Sequence, residues 1–333
     1  MENFSWKNIF GNAPRIEHLK KILSENKFPH AVIFSGVEGI GKRKIAENCA
    51  AALLCENPND GEACGVCSSC KLLAAGNHPD FYVIEPEKSK AAPAIKIGQI
   101  RELQSQVLLQ PNRANCRVVI IDGAEFMNKA AANCLLKTLE EPTGQTIFIL
   151  TTANRAGLLM TVRSRCGVVN FEKISPAEIS AALKLRGVES EKAQTISLIA
   201  DGSLGRALKL EESGGFEIRN DALNFLENLL AKKITVENIF ERGKIFSEGS
   251  KENFSDFVTH IQKILRDVFL LESAELYNSD LKSRLTKIKI PEKTLYELFE
   301  EGKKIQRKLN SNANLRLSVE AYFLKSKQII EGR

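Results

Sequence analysis

At about 150 residues per domain, the 333-residue chain has room for two or three domains. Its hydrophobic (43%) and charged (26%) fractions lie near globular averages, which excludes a disordered or disulfide-stapled chain. Lys and Arg number 47 against 41 Asp and Glu, a net +6 that tolerates phosphate contact without the polycationic character of a dedicated nucleic-acid binder.

The first residues carry Glu2 and no apolar core of signal-peptide length, so no export signal is expected and the cysteines are placed in a reducing cytoplasm. No apolar run approaches the roughly 18 residues of a membrane span. Ala31-Val32-Ile33-Phe34 reads as a strand buried on both faces, because it lacks polar alternation. Gly36-Val37-Glu38-Gly39-Ile40-Gly41-Lys42-Arg43 follows it and opens a helix predicted over 42–54. In that context Gly36, Gly39 and Gly41 let backbone N–H groups wrap phosphates, and Lys42 reaches the β/γ oxygens. The position after Lys42 normally supplies a hydroxyl to Mg2+, and Arg43 supplies a positive charge instead.

Cys55, Cys64, Cys67 and Cys70 follow in a C-x8-C-x2-C-x2-C pattern, with Gly61 and Gly65 available for tight turns. Four thiolates close a tetrahedral site and leave no open position, so structural Zn2+ is expected in a module at about 55–70. An iron–sulfur cluster is the rival, but its fourth cysteine would fall at 74, which is Ala74. His78 could in principle replace one thiolate, but a lone His before Pro79 reads as an ordinary loop residue. The remaining Cys49, Cys116, Cys134 and Cys166 are read as small core residues.

Val118-Val119-Ile120-Ile121 predicts a second buried strand, and Asp122 at its end is placed to hold magnesium through water. Gly123 follows, with Glu125 nearby. A helix is expected from Asn128 to Glu141, stopped by Pro142. Thr146–Leu150 and Val168-Val169 complete the strands, with Thr151, Thr152 and Asn154 at the ligand-binding end of the former. Strands alternating with helices indicate an α/β domain with a parallel sheet.

After Phe171 the strand signal ceases. Ser175-Pro176-Ala177-Glu178 is a capping box, a helix is predicted over 191–200, and Ser213-Gly214-Gly215 is the linker candidate. Beyond it Phe254, Phe257, Val258, Ile261, Ile264, Leu265, Val268 and Phe269 trace one apolar helical stripe.

Several motifs together carry a family resemblance. They are Pro29-His30-Ala31, the phosphate loop, the cysteine insertion, Leu135-Leu136-Lys137-Thr138-Leu139-Glu140-Glu141-Pro142 and Ser164-Arg165-Cys166. The chain resembles the AAA+ clamp-loader subunits of bacterial DNA polymerase III. The resemblance runs on through Gly202-Ser203-Leu204-Gly205-Arg206, the sensor-2 position, to Asn312-Ala313-Asn314-Leu315-Arg316-Leu317. It implies an AAA+ P-loop core over 1–171 with the zinc insertion, a small helical lid over 172–212 and an all-α collar over 213–333.

In hydrolytic members of the family the position of Gly123 is a Glu that polarises water. Arg43 and Gly123 therefore make the chain similar to a subunit without ATPase activity of its own, acting inside the polymerase holoenzyme. The resemblance further implies that Arg165, within Ser164-Arg165-Cys166, enters the ATP site of a neighbouring subunit. The chain's own nucleotide site, comprising Gly36, Gly39, Gly41, Lys42, Arg43 and Asp122 with sensor positions Thr152, Asn154 and Arg206, is degenerate. The implied partners are gamma/tau and delta subunits, the sliding clamp through the complex, and the phosphate backbone of primer–template DNA. The alternatives are an ATP-hydrolysing gamma/tau-type subunit, which needs Ser or Thr at 43 and Glu at 123, and an unrelated P-loop kinase.

Overall fold

A computed structural model describes residues 4–87, 93–140, 145–212, 215–272, 275–309 and 314–332. Glu141-Pro142, Ser213-Gly214 and Asn312-Ala313 lie outside the described residues. The chain divides into two compact units, Met1–Ala182 with Gly202–Gly205, and Leu183–Asp201 with Arg206–Arg333. Residues 172–212, read above as a lid, are shared between them.

The first unit contains β1 (Ala31–Ser35), β2 (Phe81–Ile84), β3 (Arg117–Ile121), β4 (Thr146–Thr152) and β5 (Gly167–Asn170). They form one sheet in the order β2-β3-β4-β1-β5, every pair parallel. Parallel neighbours end on the same side, so the residues following β1, β3 and β4 gather along one edge. β1 and β3 bury nearly every side chain, as their unbroken Val/Ile runs require.

The helices of this unit are α1 (Ala13–Ser24), α2 (Lys42–Leu54), α3 (Ser68–Ala74), α4 (Ile97–Val107), α5 (Lys129–Glu140) and α6 (Met160–Arg163), with α7 (Pro176–Lys184) at its border. Ile100, Leu103, Leu135 and Leu139 of α4 and α5 join Val119, Ile121, Phe148 and Leu150 in one core. The Ser175–Glu178 capping box forms, with Glu178 N–H donating to Ser175 Oγ at 3.3 Å and Ser175 N–H to Glu178 Oε2 at 3.1 Å.

The second unit is helical throughout its described residues: α8 (Ser190–Ile199), α9 (Leu204–Glu212, which begins in the first unit), α10 (Gly215–Leu230), α11 (Val236–Glu248), α12 (Lys251–Phe269), α13 (Lys282–Leu285), α14 (Glu292–Leu309) and α15 (Leu315–Glu331). Phe225, Phe246, Phe254, Phe257, Tyr322 and Phe323 interlock at its centre, mostly edge-to-face or tilted. The stripe of α12 is buried from Phe254 to Leu265, whereas Val268 is only partly covered and Phe269 is exposed. The stripe thus ends before the helix does. No helix among the described residues is long and apolar enough to cross a membrane.

Candidate functional site

The phosphate loop joins β1 to α2 at the sheet edge, where Gly36 N–H donates to Thr152 O at 3.2 Å. Gly39 and Gly41 take φ of +77° and +98°, a left-handed backbone that other residues rarely adopt. Gly36 is required for a different reason: a Cβ there would meet Phe171 O at 2.7 Å. Lys42 is largely buried and donates to Gly36 O at 2.7 Å and Val37 O at 2.8 Å, so its ammonium satisfies the loop's own carbonyls. Burial lowers its pKa, against the opposing charges of Glu125, Asp122 and Glu38.

Arg43 does not project into solvent. Its Nε donates to Glu47 Oε1 at 2.8 Å, one turn along α2, and its Nη1 reaches Asp122 Oδ2 at 3.2 Å and the Glu85 carboxylate. Burial works against the charge on this guanidinium, but the bonds from Glu47, Glu85 and Asp122 prevail and raise its pKa further. The second oxygen of Asp122 accepts from the Thr151 hydroxyl. Both carboxylate oxygens expected to hold hydrated magnesium therefore already have protein partners. The position after Lys42 offers no hydroxyl either, so the residues present do not fit the Mg2+ of a hydrolytic P-loop.

Gly123 takes φ +68°, and a Cβ on it would lie 2.8 Å from the Phe126 ring. Glu125 accepts from Ala153 N–H at 2.8 Å through Oε1, while its Oε2 is buried without a hydrogen-bond partner. Thr152 is buried and its hydroxyl accepts from Asn154 N–H at 3.0 Å. Asn154 in turn caps the turn that follows, its Oδ1 accepting from Gly157 N–H at 3.2 Å. Arg206 lies on α9, in the second unit.

Arg165 follows the one-turn helix α6. Its guanidinium donates to Thr161 O at 3.0 Å, to Ser164 Oγ at 3.4 Å and to the Glu140 carboxylate at the end of α5. About a third of the side chain remains exposed (34%), which leaves donors for an incoming group. Cys166 is buried, and burial pushes its thiol up to about 11, so it packs rather than reacts.

The four cysteines of the insertion converge. Their sulfurs all lie within 4.8 Å of one another, with Cys55 Sγ 3.9 Å from Cys67 Sγ and 3.7 Å from Cys70 Sγ. A tetrahedron of Zn–S bonds near 2.3 Å has edges of about 3.8 Å, so the cluster fits one ion. The N–H groups of Cys64, Cys67 and Cys70 donate to the sulfurs of Cys55, Cys64 and Cys67 at 3.3, 3.4 and 3.3 Å. Backbone N–H groups of Val66 and Cys67 lower the pKa of the Cys64 thiol, whereas burial raises those of Cys55 and Cys70. Gly61 and Gly65 both turn with φ +72°. His78 is not a ligand: its Nε2 meets Ser69 Oγ at 2.6 Å and its Nδ1 accepts from Asp80 N–H at 3.1 Å. Ser69 Oγ itself donates to Leu54 O at 2.6 Å, so the ring must carry its proton on Nε2.

Of the carboxylates paired with Arg43 and Arg165, Glu47 stands at i+4 from Arg43, a spacing that a helix over 42–54 already brings together. Glu85 and Glu140 are brought in only by the tertiary fold.

Comparison with known proteins gives a consistent result. Residues 11–175 match the family described as "DNA polymerase III, delta subunit". A DNA polymerase III subunit delta' from Pseudomonas aeruginosa is 38% identical over 215 residues, covering 64% of this chain and 65% of that protein. The subunit delta' of Bacillus subtilis is 30% identical over 231 residues, covering 69% of this chain and 68% of that protein. The subunit tau of Bacillus subtilis is 29% identical over 316 residues, covering 89% of this chain but only 54% of that protein. The chain thus spans about two thirds of the two delta' relatives and about half of the tau relative.

Proposed function

The chain belongs to the delta' family of DNA polymerase III subunits, and we propose that it serves in the clamp loader as a stator: a subunit that hydrolyses no ATP itself and lends Arg165 to the ATP site of a neighbouring gamma/tau-type subunit. The observation that carries this reading is the pairing of Arg43 with Asp122 beside a Gly123 that has no room for a carboxylate side chain. Without a metal-binding hydroxyl or a base for water, Lys42 and its loop have nothing to drive phosphoryl transfer. Arg165 is the complementary half. Ser164, Thr161 and Glu140 hold it at the surface, where a γ-phosphate from another subunit can meet its free N–H groups.

In this reading 172–212 forms the lid, with Arg206 in a sensor position that has no nucleotide to sense, and 213–333 forms the collar that meets the delta and gamma/tau subunits. The assembled complex loads the sliding clamp onto primed DNA, and contact with primer–template phosphates is blind to sequence and weakens with salt. The four cysteines hold Zn2+ as a structural staple.

The test is Mg2+-dependent ATP hydrolysis by the purified chain, alone and mixed with gamma/tau-type and delta subunits, the clamp and primed DNA. The expected result is no turnover alone and turnover in the mixture that rises on adding this chain. Arg165→Ala should remove that rise while the complex still assembles, since fingers of this kind contribute about 10³–10⁵ in rate at the site they serve. Hydrolysis by the chain alone would establish the gamma/tau-type alternative. A rise undiminished by Arg165→Ala would remove the finger from the reading.

A further inference from the structure

We propose that Arg43 is the resident cation of the phosphate-loop site, a guanidinium that permanently takes the place of the divalent ion and ties α2 to the ends of β2 and β3. The inference rests on the P-loop geometry and is independent of what Arg165 does.

Three carboxylates from three elements converge on this one side chain. Glu47 lies on α2, Glu85 just beyond β2 and Asp122 just beyond β3. In a hydrolytic P-loop protein the corresponding Asp and the loop hydroxyl share Mg2+. Here the Asp122 oxygen not taken by Thr151 faces the guanidinium at 3.2 Å, so a metal ion and Arg43 compete for the same lone pairs. The planar fork of Arg suits this task better than a point charge, because separate N–H groups address separate carboxylates.

The substitution also sets the charge that a nucleotide would meet. Lys42 and Arg43 are surrounded by Glu38, Glu47, Glu85, Asp122 and Glu125. Five carboxylates against Lys42 leave four negative charges, of which a divalent ion would offset two and a single guanidinium offsets one, so the pocket stays negative and hostile to a polyphosphate. Lys42, engaged by Gly36 O and Val37 O, does not reverse that balance. The cage of carboxylates is therefore a cation site whose occupant is covalently attached.

The consequence is a latent metal site. Arg43→Ser removes the guanidinium, restores the hydroxyl and leaves Glu47, Glu85 and Asp122 facing one another uncompensated. Thermal midpoints of the full-length chain, its cysteine site loaded with zinc, would be measured without added divalent ion and in millimolar Mg2+ or Mn2+, with Mn2+ binding followed by paramagnetic resonance. For the unaltered chain the midpoint should be the same in both solutions and Mn2+ should remain free. For Arg43→Ser the midpoint should fall without the added ion and recover with it, and Mn2+ should bind at least about tenfold more tightly than to the unaltered chain. Arg43→Gln, which keeps much of the side-chain volume and adds no hydroxyl, is the second variant should the Ser variant fail to fold, and it should show the same direction. Mn2+ binding by the unaltered chain, or variants whose midpoints and Mn2+ affinity do not respond, would overturn the proposal.

Discussion

At Gly123 the backbone sits at φ +68° with the Phe126 ring 2.8 Å from where a Cβ would stand. Any side chain added there must pay for a left-handed backbone and displace an aromatic ring at the same time. Gly123→Glu, which restores the water-polarising carboxylate of the hydrolytic subunits, is therefore expected to lower stability by about 1–3 kcal/mol. It should confer no ATPase activity, because Arg43 still engages Asp122. Urea midpoints and phosphate release check both statements, and an unchanged midpoint would show that the 123–126 turn relaxes freely. Glu125 accepts from Ala153 N–H through Oε1, which makes it a tie between the segments that follow β3 and β4.

Among the described elements, the four-cysteine module would, on the zinc reading, owe its order to something outside the polypeptide. α3 is seven residues long, too short to persist alone, and it is capped by Cys67 and held by Cys70. Ser69 on α3 contacts His78, whose ring accepts from Asp80 N–H, and the buried Asp80 carboxylate accepts from the N–H groups of Asn112, Arg113 and Ala114. Metal analysis is expected to find one zinc per chain, and chelation should raise amide exchange in 55–74 and then, through Asp80, in 112–114. Iron in place of zinc, or exchange unchanged on chelation, would contradict this. Of the four strands read from the sequence as buried, β1, β3 and β4 are buried almost throughout, whereas β5 forms with Val168 and Val169 only half-covered, because it lies at the edge of the sheet. β2 escaped because Phe81, Tyr82 and Val83 are only half-covered at the sheet edge, and a short strand of that kind has no distinctive period. The cysteine cluster was legible because its ligands are close in sequence. The Glu85 and Glu140 partners were not, because only the fold brings them to Arg43 and Arg165.

At the scale of the whole molecule, the described residues include one core packed against the sheet and another around the aromatic cluster of the second unit. The second holds an acid-sensitive group. His260 on α12 is buried with Nδ1 unpartnered, and burial, with Lys263 and Arg219 adding positive charge, lowers its pKa to about 3. An unfolded histidine titrates near about 6.5. Above that pH neither state binds the proton. As pH falls from about 6.5 towards 3 the unfolded chain takes up a proton that the folded chain refuses, so stability is lost across that window. His260→Leu should flatten this part of the profile, read as the difference in urea midpoint between variant and parent at pH near neutral and near 4. A difference that does not change with pH would mean that His260 is protonated in the folded unit.

The crowding of Gly123 by Phe126 also bears on what sequences lie within reach of this one. A serine at 43 alone leaves the attacking water without a carboxylate, and a glutamate at 123 alone collides with the ring and still faces the guanidinium. On the stator reading, no single replacement brings a gain in turnover for selection to retain, while the second brings an immediate loss of stability. On that reading the absence of hydrolysis works as a ratchet: the packing of Phe126 against Gly123 bars the way to it, and the chain depends on partners that supply the chemistry.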